Sequence, residues 1–435
     1  MAEEITTFII IFGTLLFAFG LVSRKISETV ITAPMIFVAA GILLSPAGLG
    51  LIELSPESSL VLAIAEVALA LTFFSDASRI GLRSLRQEGW LARRLLLLGL
   101  PLTIGAGAAA AAFLFTDLTL AEAALLGAIL APTDAGLGQK VVDNRKVPVL
   151  IRQGLNIESG LNDGGVMPFF IFFLLLGTGE ELNQPIGSLF VLALEQVGLG
   201  ILVGIFLGLL GGWLSGKAVR EKWMSGLYHR TGFVVLAIIS WLVADELGGS
   251  GFVAAFVAGL VSGTVSREVT DEEVIIARAE GNALSLAVLF ILGVVVADNL
   301  SSIGWPVLAY AALSLTVIRV VPVALSLIGS GLNSRTVLFM GLFGPRGLAS
   351  IVLLLIAMEE LGEIGVAQTI SLTVFTTVLI SIFVHGITAG PAGEWYSRTA
   401  DVLPQGAQEL EKVKELPTHQ GFSPTEDGHE NSQGK

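Results

Sequence analysis

Residues 156–168 read N-I-E-S-G-L-N-D-G-G-V-M-P and lie in the middle of an apolar run from about 150 to 177. Glu158, Asn162 and Asp163 are groups that a bilayer interior excludes. An ionisable side chain there costs at least ~2.5–3.5 kcal/mol, so it pairs, faces water, or does both. On a helix Glu158 and Asn162 stack four residues apart, Ser159 and Asp163 do the same, and the two stripes adjoin. Such a face offers carboxylate, hydroxyl and amide oxygens to a hard cation, and carboxyl groups that can take a proton. It is expected to line an ion site.

Three further charges fall inside apolar segments: Asp134 in A-P-T-D-A-G (131–136), Arg319, and Arg346 in F-G-P-R-G (343–347). The most economical pairing sets Glu158 against Arg319, whose permanently charged fork holds a carboxylate ionised as a strut. Asp134 sits where Pro132 and Gly136 break a helix, and exposed N–H groups at a half-helix start favour an anion. Arg346, at a second such break, suits the carbonyls at a half-helix end. Asp163 is then the acid without a dedicated countercharge, able to take a proton or a cation. The hydroxyls of Thr133 and Ser159, the Asp134 carboxylate and freed carbonyls could complete an oxygen shell for a monovalent ion. The alternative is a purely structural salt-bridge network, which three acids and two arginines would leave with one surplus negative charge.

The elements that must hold these groups are membrane helices. The 435-residue chain is 53% apolar and 14% charged, against about 25% charge in ordinary globular domains. Its lack of cysteine excludes disulfides, thiolate metal sites and thiol nucleophiles, and four histidines give little material for a metal centre. The glycine-rich stretches, including Gly204, Gly208, Gly211 and Gly212, have helix-packing spacing and match no phosphate-binding loop. No cofactor, nucleotide or nucleic-acid partner and no enzymatic activity are expected. The N-terminus lacks the basic flank of a secretory leader, so residues 5–23 read as a first span.

Windows of apolar residues give thirteen spans, near 5–23, 28–46, 59–77, 92–115, 119–143, 150–177, 188–215, 230–246, 251–266, 281–297, 303–329, 335–358 and 366–388. All of the 24 basic residues except Arg319 and Arg346 then fall on one side. This puts the N-terminus outside and the C-terminus in the cytoplasm of a cell membrane, plasma or inner. A seven-span offset would give spans 1–6 and 8–13 opposite topology, an inverted-repeat plan in which the Pro/Gly breaks of spans 5 and 12 correspond. Residues 399–435 read as a polar, acidic and disordered cytoplasmic tail, with a short helix over 405–416. Among the remaining acids, Glu66 is a proton-path residue or a buried hydrogen-bonded acid, Glu122 and Glu195 are solvated span ends, and Asp76 with Arg79 forms a membrane-edge clasp. His385 reads as a cytoplasmic pH sensor or a structural histidine.

A-P-T-D followed by E-S-G-L-N-D-G strongly resembles the signature of the monovalent cation:proton antiporter family of the NhaP type. F-F-S-D-A-S-R-I-G-L-R-S-L-R, A-D-E-L-G-G-S-G-F-V-A-A-F-V-A-G-L, G-P-R-G-L-A-S-I-V and V-H-G-I-T are similar to its other segments in order, so the likeness covers roughly residues 5–390. The resemblance implies an all-α fold of thirteen transmembrane helices in inverted six-helix repeats, with helices 5 and 12 discontinuous and crossed. Within a transmembrane unit of residues 1–398, a core of helices 4–6 and 11–13 (about 92–177 and 303–390) would move against a dimerisation part, helices 1–3 and 7–10 (about 5–77 and 188–297). It assigns Asp163 as ion and proton carrier with Asn162 as its partner, sets Thr133, Asp134, Ser159 and Glu158 around the ion, and pairs Arg319 with Glu158. The Asn at 162 is similar to that of the electroneutral exchangers. The expected activity is one-for-one Na⁺/H⁺ antiport by a homodimer. K⁺/H⁺ exchange, a cation channel and a non-transporting scaffold or sensor are the rivals.

Overall fold

The computed structural model describes residues 2–54, 58–80, 89–134, 136–142, 144–181, 184–265, 271–361, 365–404 and 406–411. Among these residues all regular structure is helical. The helices are α1 (Ala2–Ser27), α2 (Ala33–Leu44), α3 (Ser59–Arg79), α4 (Trp90–Leu114), α5 (Leu120–Ile129), α6 (Gln139–Val142), α7 (Val149–Glu181) and α8 (Ile186–Arg220). They continue with α9 (Gly226–Glu246), α10 (Gly251–Val265), α11 (Asp271–Asn299), α12 (Trp305–Leu315), α13 (Val317–Ser326), α14 (Ser334–Leu342), α15 (Leu348–Leu361) and α16 (Gly365–Ala400). Eight described stretches are long and apolar enough to cross a bilayer, including α3, α4, α7, α8 and most of α16. This is a multi-pass membrane protein. In the packing, α10 lies between α8 and α3, α11 runs along α2 and α3, α4 runs along α5, and α12 runs along α16.

The short helices matter most for the site. At 1.5 Å per residue, the 10 residues of α5 reach only about 15 Å, half of a bilayer core. Its start is fixed by a reciprocal cap: Glu122 N–H donates to Thr119 Oγ1 (3.3 Å) and Thr119 N–H donates to Glu122 Oε2 (2.6 Å). Glu122 is therefore a capping residue rather than simply a solvated span end. The helix stops before Pro132, which has no N–H to continue the ladder, and residues 131–134 run without helical structure to the single turn of α6. The nine-residue α14 ends in the same way, and residues 343–347 link it to α15.

Three features differ from the expectations. Span 11 is not one helix: it is divided at Thr316 (φ −126°, ψ −93°) into α12 and α13. The Thr316 hydroxyl donates to the Ala312 carbonyl (2.5 Å), a local bond that competes with the backbone ladder. Within α4, a π turn spans Leu95–Gly99, with Leu100 N–H bonded to Leu95 O, directly before Pro101. The expected disorder from 399 onward does not hold for the described residues: α16 runs to Ala400, and a 3₁₀ turn at Gln408–Leu410 packs on the bundle. Glu409 there is 1% exposed, and its Oε1 accepts from Asn333 N–H (2.6 Å) and from the Thr336 hydroxyl (2.9 Å). A carboxylate at the start of α14 meets the positive end of that helix, which is what holds this part of the tail down. Residues 412–435, the rest of the expected tail, lie outside the described residues.

Candidate functional site

One face of α7 carries Glu158, Ser159, Asn162 and Asp163, each at most 8% exposed. Its continuity through this polar stretch leaves the side chains, not the backbone, to be satisfied. Glu158 is taken by Arg319 of α13, whose Nη2 lies 2.7 Å from Oε2, with both side chains about 3% exposed. Ser159 donates its hydroxyl proton to the Thr133 carbonyl. Asn162 donates from Nδ2 to Thr133 Oγ1 (2.7 Å). In both contacts the protons of α7 point at the 131–134 link, which leaves lone pairs of Ser159 Oγ and the Asn162 oxygen for other use. Asp163 is not held in this way: among the described residues its buried Oδ1, like that of Asn162, has no hydrogen-bond partner.

The two links interlock beside that face. Asp134 N–H donates to the Pro345 carbonyl (2.8 Å). The Asp134 carboxylate accepts from Gly136 N–H (2.8 Å) and Leu137 N–H (3.3 Å) at Oδ1, and from Leu348 N–H (3.1 Å) at Oδ2. It thus caps its own turn and the start of α15. Arg346, fully buried, returns the service with Nη1 on the carbonyls of Ala131 (2.7 Å) and Pro132 (3.1 Å), beyond the end of α5. The G-P-R-G motif makes room for this crossing. A Cβ on Gly347 would run into the Asp134 carboxylate, and one on Gly344 into Arg319 Nε.

A cavity of about 1090 Å³ reaches this centre and is lined by Thr133, Asp134, Ser159, Asp163 and Asp76. Its lining continues to Glu28 and Thr29 between α1 and α2, and to Glu394 of α16. The expected residues therefore separate into groups. Thr133, Ser159 and Asp163 gather at the cavity wall with oxygen lone pairs available. Asp134 is there too, but both of its oxygens hold backbone N–H groups, so it acts first as a helix cap. Glu158 is held by Arg319 and is not part of the lining, which differs from its expected place around the ion. Asn162 spends its amide nitrogen on Thr133 rather than on Asp163. Arg346 compensates the opposite break from its own.

Asp76 is the residue that sequence reasoning undervalued. Its edge contact with Arg79 exists at 3.8 Å, but Asp76 also lines the cavity whose wall carries Asp163. An acid inside the apolar span 59–77 was the available signal, and the Arg three residues on obscured it. Ser381 and His385 of α16 were likewise not tied to the site: Ser381 Oγ accepts from Arg346 N–H at 2.7 Å, and His385 Nε2 lies 3.1 Å from the Leu342 carbonyl.

Residues 10–395 match the family model described as sodium/hydrogen exchanger, transmembrane. The chain is 30% identical over 393 residues to the K(+)/H(+) antiporter NhaP2 of Shewanella sp. strain MR-4, covering 88% of this chain and 66% of that relative. It is 28% identical over 400 residues to the K(+)/H(+) antiporter NhaP of Alkalimonas amylolytica, covering 90% and 67%. The chain thus spans about two thirds of the length of these two curated relatives. Its fold is similar to that of the sodium proton antiporter MjNhaP1 from Methanocaldococcus jannaschii at pH 8, with a TM-score of 0.72 and 19% identity over 90% of this chain and 99% of that one.

Proposed function

The chain belongs to the sodium/hydrogen exchanger family of transmembrane proteins, and on that premise we propose that it exchanges a monovalent cation for a proton at Asp163. The observation that carries this is the unpartnered Asp163 oxygen, buried at the wall of a cavity that also presents Ser159 and Thr133. Both arginines near the centre are committed, Arg319 to Glu158 and Arg346 to carbonyls. Asp163 therefore keeps a negative charge that one proton or one cation neutralises, and the two compete. An empty carrier would drag an uncompensated charge through the low-dielectric barrier, so only loaded carriers cross and the fluxes are coupled. One charge for one charge makes the exchange electroneutral.

The reading includes thirteen crossings, with α5–α6 and α14–α15 as the interrupted fifth and twelfth, an inverted repeat, a moving core and a homodimer. The reciprocal capping of the two links is the support for the paired breaks. The segregation of basic residues supports an N-terminus outside and a C-terminus in the cytoplasm of the cell membrane. In that orientation Glu28, just past the end of α1, and Glu394, near the end of α16, lie on the cytoplasmic side, so in this reading the cavity opens inward. Na⁺ is the substrate of this reading. K⁺ is the second reading, favoured by the names of the Shewanella and Alkalimonas relatives; cavity size and ligand field decide between the two ions.

The test is cation-dependent proton movement in proteoliposomes with Na⁺, K⁺ and Li⁺, with and without an imposed voltage. The wild type should show saturable exchange that voltage does not alter, and Asp163→Asn should show none while keeping its fold. Full exchange in that variant would remove Asp163 from the mechanism. Flux without a counter-ion would make the protein a channel.

A further inference from the structure

The link between α14 and α15 leaves two backbone groups to be satisfied deep in the bundle: the Leu342 carbonyl at the end of α14, and the N–H of Arg346. Both are met by one turn of α16. Arg346 N–H donates to Ser381 Oγ at 2.7 Å, and Ser381 Oγ lies 3.3 Å from His385 Nδ1. His385 Nε2 lies 3.1 Å from the Leu342 carbonyl. A carbonyl can only accept, so Nε2 carries a proton. In a neutral ring Nδ1 then has the lone pair, and the Ser381 hydroxyl donates to it. In that tautomer one directed chain runs from Arg346 N–H through the Ser381 hydroxyl and the His385 ring to the Leu342 carbonyl. A ring protonated on both nitrogens would donate instead to the Ser381 carbonyl at 3.0 Å, and the serine proton would lose its acceptor.

The surroundings suit a fixed ring. Ser381 is 0% and His385 4% exposed. Phe343 of the link meets the imidazole edge to face, at 6.1 Å between centroids and 76°.

We propose that Ser381 and His385 are positioning residues for the exchange: they bridge the break between α14 and α15 and so set where Arg346 holds the opposite break. Arg346 Nη1 fixes the carbonyls of Ala131 and Pro132. The next residue, Thr133, holds Ser159 and Asn162 on either side of the carrier helix face. A shift in the bridge therefore reaches Asp163 through covalent neighbours and hydrogen bonds, without His385 touching the ion. The inference rests on the reading of Asp163 as the carrier.

Two readouts on the full-length protein separate this inference from that reading. The first is amide hydrogen exchange of residues 342–348, which needs no transport. The second is exchange in proteoliposomes, with wild type and Asp163→Asn alongside. His385→Leu removes both ring contacts, whereas His385→Gln keeps a donor for Leu342 and an acceptor for Ser381. His385→Leu should speed amide exchange of the link about tenfold and lower turnover about tenfold, since the buried bonds of the ring to Leu342 and to Ser381 are both lost. The half-saturating cation concentration should change less than about twofold, because the ion ligands are untouched. His385→Gln should stay near wild type in both readouts. The proposal is overturned if His385→Leu leaves amide exchange at the wild-type rate, if it speeds amide exchange without lowering turnover, or if the Gln variant is as impaired as the Leu variant. A wild type without exchange would sink the carrier reading, and the amide measurement would still decide whether the bridge exists.

Discussion

Asp134 and Arg346 exchange helix ends. Asp134, from the first interruption, holds the Leu348 N–H that begins α15, and Arg346, from the second, holds the Ala131 and Pro132 carbonyls that follow α5. Each charge is neutralised by a helix terminus of the other segment, so the two breaks stand or fall together.

Asp134→Ala should accordingly act on stability before it acts on binding. It strips the acceptor from three backbone N–H groups, and leaving buried donors unmet costs about 1–3 kcal/mol. Thermal unfolding of the purified protein should show a clear loss for Asp134→Ala and a smaller one for Asp134→Asn, which keeps one acceptor oxygen. Unchanged stability in the alanine variant would mean that water serves these groups equally well.

Glu158→Gln should be more damaging to the fold. It leaves Arg319 buried without its countercharge, a loss of about 3–5 kcal/mol in such settings. Combining Glu158→Gln with Arg319→Met should restore much of the unfolding temperature, because the orphaned charge is gone. A variant of normal stability but altered cation affinity would show instead that Glu158 touches the ion.

Asp76→Asn should leave exchange intact and weaken its grip on the cation. The carboxylate adds negative potential at the cavity, partly screened by water, so the half-saturating cation concentration should rise about three- to tenfold at unchanged maximal rate. Rates measured over a cation series would check this. A collapse of the maximal rate would place Asp76 in the transport step itself.

The pH dependence follows from shared occupancy of Asp163. As pH falls, the proton fills the carboxylate and the cation must displace it, so the half-saturating cation concentration should rise by up to about tenfold per pH unit in the competitive limit. Rates at saturating cation should recover. A cation constant independent of pH would separate the two binding sites.

Much of this was legible along the chain because membrane physics makes charge conspicuous. Glu158, Asp163, Asp134, Arg319 and Arg346 stood out for being where lipid forbids them, and the Glu158–Arg319 strut followed from matching a guanidinium fork to an acid. Pro132 and Pro345 marked the two interruptions, since neither can donate to a helix ladder. Less visible were the division at Thr316, where a hydroxyl bond competes with a backbone that has no breaker residue at that position, and the docking of Glu409, whose partner lies 76 residues away.

The chain by itself determined that this is a helical membrane protein with buried charges on a few segments, because hydropathy and the cost of desolvating a charge act on each residue where it stands. Only the tertiary structure decided who satisfies whom. Asp134 became a cap for a helix that starts more than two hundred residues later, Arg346 became the mate of carbonyls on the other link, and Asp76 swung from the membrane edge into the cavity. A buried donor or acceptor is satisfied by whatever group packing brings within about 3 Å, and that geometry is set by how the helices cross, not by spacing along the sequence.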